Sequence, residues 1–122
     1  MAVEEGLRCL TFQATATLSA KQYFLGKIQS TGKVNVAGDG VAADGVIQDG
    51  APVANGATSL AIAGRSKIYI GATLVPGNNV ASNASGHAVP ATTGEYIIGT
   101  CTEGGTVGTI GSMIIKLGGR VA

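Results

Sequence analysis

Leu10, Phe12, Ala14, Ala16 and Leu18 alternate with Thr11, Gln13, Thr15 and Thr17. Residues two apart on an extended chain share a face, so this period predicts a strand with one side buried. The alternation returns at Val34 and Val36 within Lys33–Ala37, at Leu60 and Ile62, and at Ile68 and Ile70. Tyr23–Ile28 and Tyr96–Cys101 are denser apolar runs of strand length, and Ser112–Leu117 reads as the strand that closes the sheet. No window carries the 3.6-residue apolar period of a capped helix; Ser19–Gln22 has room for one helical turn.

Glycine separates these runs. The chain has 20 glycines in 122 residues, against about 7% in an average protein. Several follow Asp or Asn: Asp39-Gly40, Asp44-Gly45, Asp49-Gly50 and Asn55-Gly56. Glycine adopts positive φ without steric cost and Asp or Asn tolerates the left-handed region, so each pair is predicted to reverse the chain. Val75–Asn79, with Pro76-Gly77, and Ala84–His87 read as further turns. Thr58–Ile62 and Lys67–Ile70, separated by Gly64-Arg65-Ser66, read as a hairpin with a short loop. Ala88-Val89-Pro90 reads as an edge strand, because proline cannot donate to a ladder, and Thr102–Gly111 as a glycine-threonine loop.

These elements predict an all-β protein: a small β-barrel or sandwich-like body with short strands, glycine-rich turns, an extended N-terminal arm and little helix. Residues 1–19 form the arm and first strand, and residues 20–122 a single β-rich body. Residues 1–9 carry little pattern and are read as a flexible arm until something binds them.

Only 12% of residues are charged, and the net charge is +1. No electrostatic footprint for nucleic acid or an anionic membrane is present. The surface is left to Ala, Thr, Ser, Asn and Gly, which points to burial in an assembly. The acidic start Met1-Ala2-Val3-Glu4-Glu5 lacks the basic and apolar regions of a secretory signal. With no apolar stretch near the ~18 residues that span a bilayer, the expectation is a soluble product made in a cytoplasm. Cys9 and Cys101 are read as small buried hydrophobes or free thiols rather than as a pair.

The chemical inventory is short. His87, the only histidine, lies in the polar segment Ser85-Gly86-His87 and is expected to be an exposed turn residue. His87, Cys9 and Cys101 lack metal-ligand spacing. Asp39, Asp44 and Asp49 lack the alternate oxygens and closing glutamate of a calcium loop, so they read as turn formers. Gly38-Asp39-Gly40 and Gly104-Gly105 have neither the spacing nor the lysine of a phosphate loop. Phe12, Tyr23, Phe24, Tyr69 and Tyr96 are too few for a base-stacking platform and are read as core anchors. No catalytic, metal or cofactor residue is predicted, and no enzyme activity.

A longer order of segments carries a family resemblance. Gly45-Val46-Ile47 is followed by Gly50–Gly56, Ser59–Gly64, Lys67–Gly71 and a proline-glycine turn, then Val80–Val89, Ile97–Cys101 and Gly111–Leu117. This order resembles the decoration, or cement, proteins of tailed-phage capsids, and Ala20–Phe24 resembles that family's entry into its first core strand. The resemblance implies a protein of the virion's capsid exterior, made in the host cytoplasm. It would bind the major capsid protein, commonly as a homotrimer, and stabilise the head without catalysis or cofactor.

Leu10, Phe12, Tyr23 and Phe24 are the candidate interface residues toward capsid or neighbouring subunits; an extended arm is able to add a strand to a neighbour's sheet. Leu10 and Phe12 are equally read as core residues of their own subunit. Alternatives in function are another β-rich virion part, such as a head-fibre base or tail-tube component, and a small β-barrel ligand-binding module.

Overall fold

The computed structural model describes residues 4–50 and 53–122. Nine strands follow one another: β1 (Glu5–Gln13), β2 (Leu25–Ile28), β3 (Val34–Val36), β4 (Gly45–Asp49), β5 (Ala57–Tyr69), β6 (Asn79–Ser82), β7 (Ala88–Pro90), β8 (Gly99–Glu103) and β9 (Ile110–Ile115). No helix occurs among the described residues. The strands form one antiparallel sheet in the order β3-β2-β4-β5-β9-β8-β6-β7, with β1 added to β5, and the sheet curls into a half-barrel. The protein is therefore all-β with a barrel-like body, as its alternation predicts.

β5 organises the rest. Ala61 is paired at once with Cys9 of β1 and Val46 of β4, and Arg65 with Glu5 of β1 and Ile114 of β9. A strand has two hydrogen-bonding sides, so β1 keeps one and β4 and β9 share the other in succession. The hairpin expected across Gly64-Arg65-Ser66 is thus one continuous strand of 13 residues. Gly64 does adopt the left-handed region, at φ +100°, but it makes an irregularity in the strand rather than a reversal.

That irregularity inverts the faces. Before Gly64, Ala61 joins one buried cluster while Leu60 and Ile62 belong to the other; after it, Ile68 and Ile70 join the first and Tyr69 packs on the second. Pairing with β1 shifts register over the same stretch, between Glu5 and Cys9. Because side chains alternate with a period of two, one extra residue moves every later side chain to the opposite face.

The first cluster joins Leu25, Val46, Ile68, Ile70, Val80, Ile98 and Met113 across the whole sheet. The second is smaller, with Ala14, Leu18, Phe24, Val34, Ile47 and Leu60 under the segment that links β1 to β2. β4 serves both, since Val46 and Ile47 are adjacent and completely buried on opposite faces.

Of the four Asp-Gly and Asn-Gly pairs, two are reversals: Gly40 and Asn55 have φ of +66° and the chain turns at both. The other two glycines serve close packing. Gly45 lies within β4, where a methyl group would overlap the Ala61 carbonyl oxygen, and a methyl on Gly50 would overlap that of Leu18. Neither has positive φ, so the residue is needed there for its missing side chain.

Other local expectations resolve in the same way. Ser19–Gln22 forms no helix; the Lys21 amide donates to the Leu18 carbonyl (2.9 Å) and the Phe24 amide to that of Lys21 (3.1 Å), giving two tight turns. Pro76-Gly77 is a turn with Gly77 at φ +93°. β7, with Pro90, is a sheet edge as expected. β9 does not close the sheet but lies inside it, between β5 and β8. The loop expected over Thr102–Gly111 is shorter, because β8 runs to Glu103 and β9 begins at Ile110. Of the arm expected over residues 1–9, Glu5 onward is paired strand and residues 1–3 lie outside the described residues.

Candidate functional site

β1 is held by its ladder and little else. Among the described strands it pairs with β5 alone, and of its nine residues only Leu7 and Phe12 are half-buried. Leu7 packs on the first cluster and Phe12 on the second. Leu10 stands opposite the fully buried Leu60, yet remains 48% exposed. The start of the strand is pinned by an ion pair between the Glu5 carboxylate and the Arg65 guanidinium. Cys9 is exposed and unpaired, and Cys101 is buried and unpaired. Partial burial, then the Glu4 and Asp49 carboxylates, push the Cys9 thiol up from its ordinary value. Its protonated, weakly nucleophilic form is thereby favoured.

Register shows what shares a face with Leu10. Paired residues project to the same side of a sheet, so Leu10 lies on the side of Leu60 and the second cluster. Past the Gly64 irregularity that side carries Arg65 and Tyr69, whose partners on β9 are Ile114 and Ile110. Both isoleucines are open to solvent, 44% and 40% exposed. The second cluster therefore covers only part of its face, and Leu10 on β1 and Ile110 and Ile114 on β9 are left exposed on that side, with the Glu5–Arg65 ion pair between the two strands. Sequence reasoning misses both isoleucines: Ile110 falls in the segment read as a glycine-threonine loop, and Ile114 in the strand read as closing the sheet.

Tyr23 and Phe24 sit at another corner, where β2 begins. Phe24 is only 7% exposed. Its ring stacks at 4.9 Å on Tyr69 and meets the His87 imidazole edge-on at 4.6 Å, while Tyr69 and His87 are 4.7 Å apart. Such ring pairs contribute about 0.5–1.5 kcal/mol each beyond their buried area. Phe24 and Phe12 thus share the second cluster with Tyr69, whereas Leu10 stands apart from it.

Tyr23 is held at φ +68°, an uncommon conformation for a bulky residue and one that costs on the order of 1–3 kcal/mol. Two backbone bonds fix it: its amide donates to the Ile47 carbonyl (2.6 Å), and its own carbonyl accepts from the Tyr69 amide (3.0 Å). The Lys67 ammonium stands 5.8 Å from its ring centre, and that of Lys21 stands 5.1 Å from the Phe24 ring.

His87 differs from its expected exposed position. It is half-buried in this ring cluster, and burial, then the nearby Lys21 charge, lower its pKa from the ordinary value. The neutral imidazole is the form the corner accommodates. Local sequence hides this, because its ring partners come from β2 and β5. The corner thus joins the start of β2, the end of β5 and the turn before β7.

The three aspartates do not converge. The Asp44 carboxylate accepts the Ile28 amide (2.8 Å) and lies 3.7 Å from the Lys27 ammonium, so it braces the end of β2. Asp39 is exposed beside the Gly40 turn and Asp49 ends β4. Among the described residues, no group of three or more His, Cys, Asp or Glu side chains is arranged to hold a metal ion.

No protein-family model and no curated protein matches the chain. The fold does match a solved structure, the crystal structure of the head fiber gp8.5 N base in bacteriophage phi29. The TM-score is 0.74 at 16% sequence identity, over 95% of this chain and 99% of that one. The two share an architecture along their whole lengths. The neighbour is a head-fibre base, not a capsid decoration protein of the kind expected from the segment order.

Proposed function

We propose that this chain is a structural protein of a phage virion, mounted on the outside of the head and working by surface contact rather than by catalysis. The observation that carries this reading is the end-to-end match with a head-fibre base. A whole-unit match argues for a shared mounting body more strongly than a shared hairpin would, although fold alone does not fix function.

In this reading the body seats on the capsid shell through the side bearing Leu10, Ile110 and Ile114, the major capsid protein is its partner, and three copies assemble around one site. Three large apolar side chains exposed on one side of the sheet, one on β1 and two on β9, support the choice of face. Repeated weak contacts between copies and shell would add through avidity. Two forms of attachment remain within it, a head-fibre base and a decoration protein that stabilises the shell.

The test uses heads purified without this protein. Adding the chain and sedimenting the heads is expected to carry it into the pellet, and Ile114→Asp is expected to abolish that. Sparse saturation supports the fibre-base form; saturation across the shell with a gain in heat resistance supports decoration. Heads that pellet without the protein at any concentration overturn the reading, and a strictly monomeric solution mass removes the preassembled trimer.

A further inference from the structure

The segment after β9 forms an arch. The Lys116 amide donates to the Ile98 carbonyl (2.7 Å), and the Ile97 amide donates to the Arg120 carbonyl (2.8 Å). Between these two feet, Leu117, Gly118 and Gly119 leave the body, with Gly119 at φ +70°. Beyond it Val121 bridges Tyr96, and the Ala122 amide donates to the Glu95 carbonyl (2.9 Å). The arch is therefore anchored at both ends by backbone bonds.

A cavity of about 340 Å³ opens at this arch, lined by Ile97, Lys116, Gly118 and Arg120. A second, of about 220 Å³, shares the Ile97 wall and is lined also by Asp44, Tyr96, Ile98 and Leu117. Ile97 is 6% exposed and forms apolar floor, while both cations are exposed at the rim. Among the described residues, neither Lys116 nor Arg120 has an ion pair or side-chain hydrogen bond.

The acids beside the arch, Glu95 next to Tyr96 and Asp44 in the wall of the second hollow, already have partners. Glu95 accepts the amide and hydroxyl of Thr92 at 2.8 Å each. Asp44 holds the Ile28 amide and faces Lys27. No Asp or Glu occurs after Glu103. In a chain with so little charge, two unneutralised cations flank one apolar hollow.

We propose that this arch is a binding site for an acidic-apolar peptide segment of a partner protein. A carboxylate of the segment lies between Lys116 and Arg120, and an adjacent apolar side chain enters the hollow over Ile97. Charge complementarity selects the acidic partner, and the guanidinium of Arg120 suits a carboxylate through paired hydrogen bonds. The hollow has the volume of a small ligand site, enough for one or two side chains rather than a folded domain. This site does not depend on the head-surface reading, because peptide binding is scored without any capsid.

The test is a titration of the full chain, followed by amide NMR, with an acetylated Asp-Leu-Glu-Leu peptide. Saturable shifts are expected at Ile97, Gly118 and Gly119. The neutral peptide Asn-Leu-Gln-Leu, both acetylated and amidated, is expected to bind at least about tenfold more weakly, and so is the acidic peptide to a Lys116→Gln/Arg120→Gln variant. Both replaced side chains are exposed, and an unchanged spectrum away from the arch verifies folding. A Lys116→Glu/Arg120→Glu variant is expected to accept acetylated Lys-Leu-Lys-Leu instead. The proposal is overturned by equal binding of the neutral peptide, by unchanged affinity in the glutamine variant, or by shifts confined to other regions. It is also overturned if inorganic phosphate alone binds as tightly as the acidic peptide, which would make the site a plain anion site.

Discussion

β1 and β9 both pair with β5, yet the molecule treats them differently. β9 lies between two strands, and Gly111, Ser112, Met113 and Ile115 are buried. β1 is the longer of the two, but seven of its nine residues are exposed. A ladder of backbone bonds contributes modestly, because each replaces bonds to water. What holds β9 is apolar burial on its inward face, and β1 has only Leu7 and Phe12 to offer. Pairing alone makes a strand; packing makes it part of a core.

The largest expected effect lies on the packed half of β5. Ile68 is fully buried opposite Gly111 of β9, so Ile68→Ala is expected to lose about 2–5 kcal/mol in urea unfolding. A loss below about 1 kcal/mol would show that this half is no better packed than β1. Next is Gly64, at φ +100°, where a methyl group would overlap the Gly6 carbonyl of β1. Gly64→Ala is expected to cost about 1–3 kcal/mol. Amide exchange should rise in β1 before β9, and a uniform rise would contradict the distinction between them.

The aromatic corner gives a pH-dependent effect. His87 has a lower pKa folded than unfolded, so the unfolded chain binds the extra proton first and acid favours unfolding. The contribution is complete above the ordinary histidine value near 6.5 and is lost as pH falls toward the folded pKa. Unfolding midpoints measured between about pH 7.5 and pH 5 should decline on the acid side. His87→Phe keeps a ring and removes the titration, so its decline should be shallower; an identical slope would exonerate His87.

The smallest effect on stability belongs to β1. Leu10 is 48% exposed, and Leu10→Ser should change unfolding by no more than about 0.5 kcal/mol. The same variant should weaken co-sedimentation with heads several-fold. A large stability loss with unchanged binding would return Leu10 to the core of its own subunit.

Alternation at Leu60 and Ile62, Val34 and Val36, and Ile68 and Ile70, with glycine between, was enough to determine an all-β chain of short strands. Turn chemistry at Pro76-Gly77 and Asn55-Gly56, and the edge position of Pro90, were equally legible, since each depends on φ or on a missing amide within a few residues. Tertiary structure decided the rest. Gly64 reads as a turn, and only strands on both sides of β5 keep the chain running through it. Gly45 and Gly50 read as reversals, and only the approach of Ala61 and Leu18 reveals them as packing sites. His87 is exposed or half-buried according to rings contributed by distant strands, and Ile114 is core or surface according to how far the second cluster reaches. A periodic pattern says which side chains share a face; what covers that face is set by contacts distant in sequence.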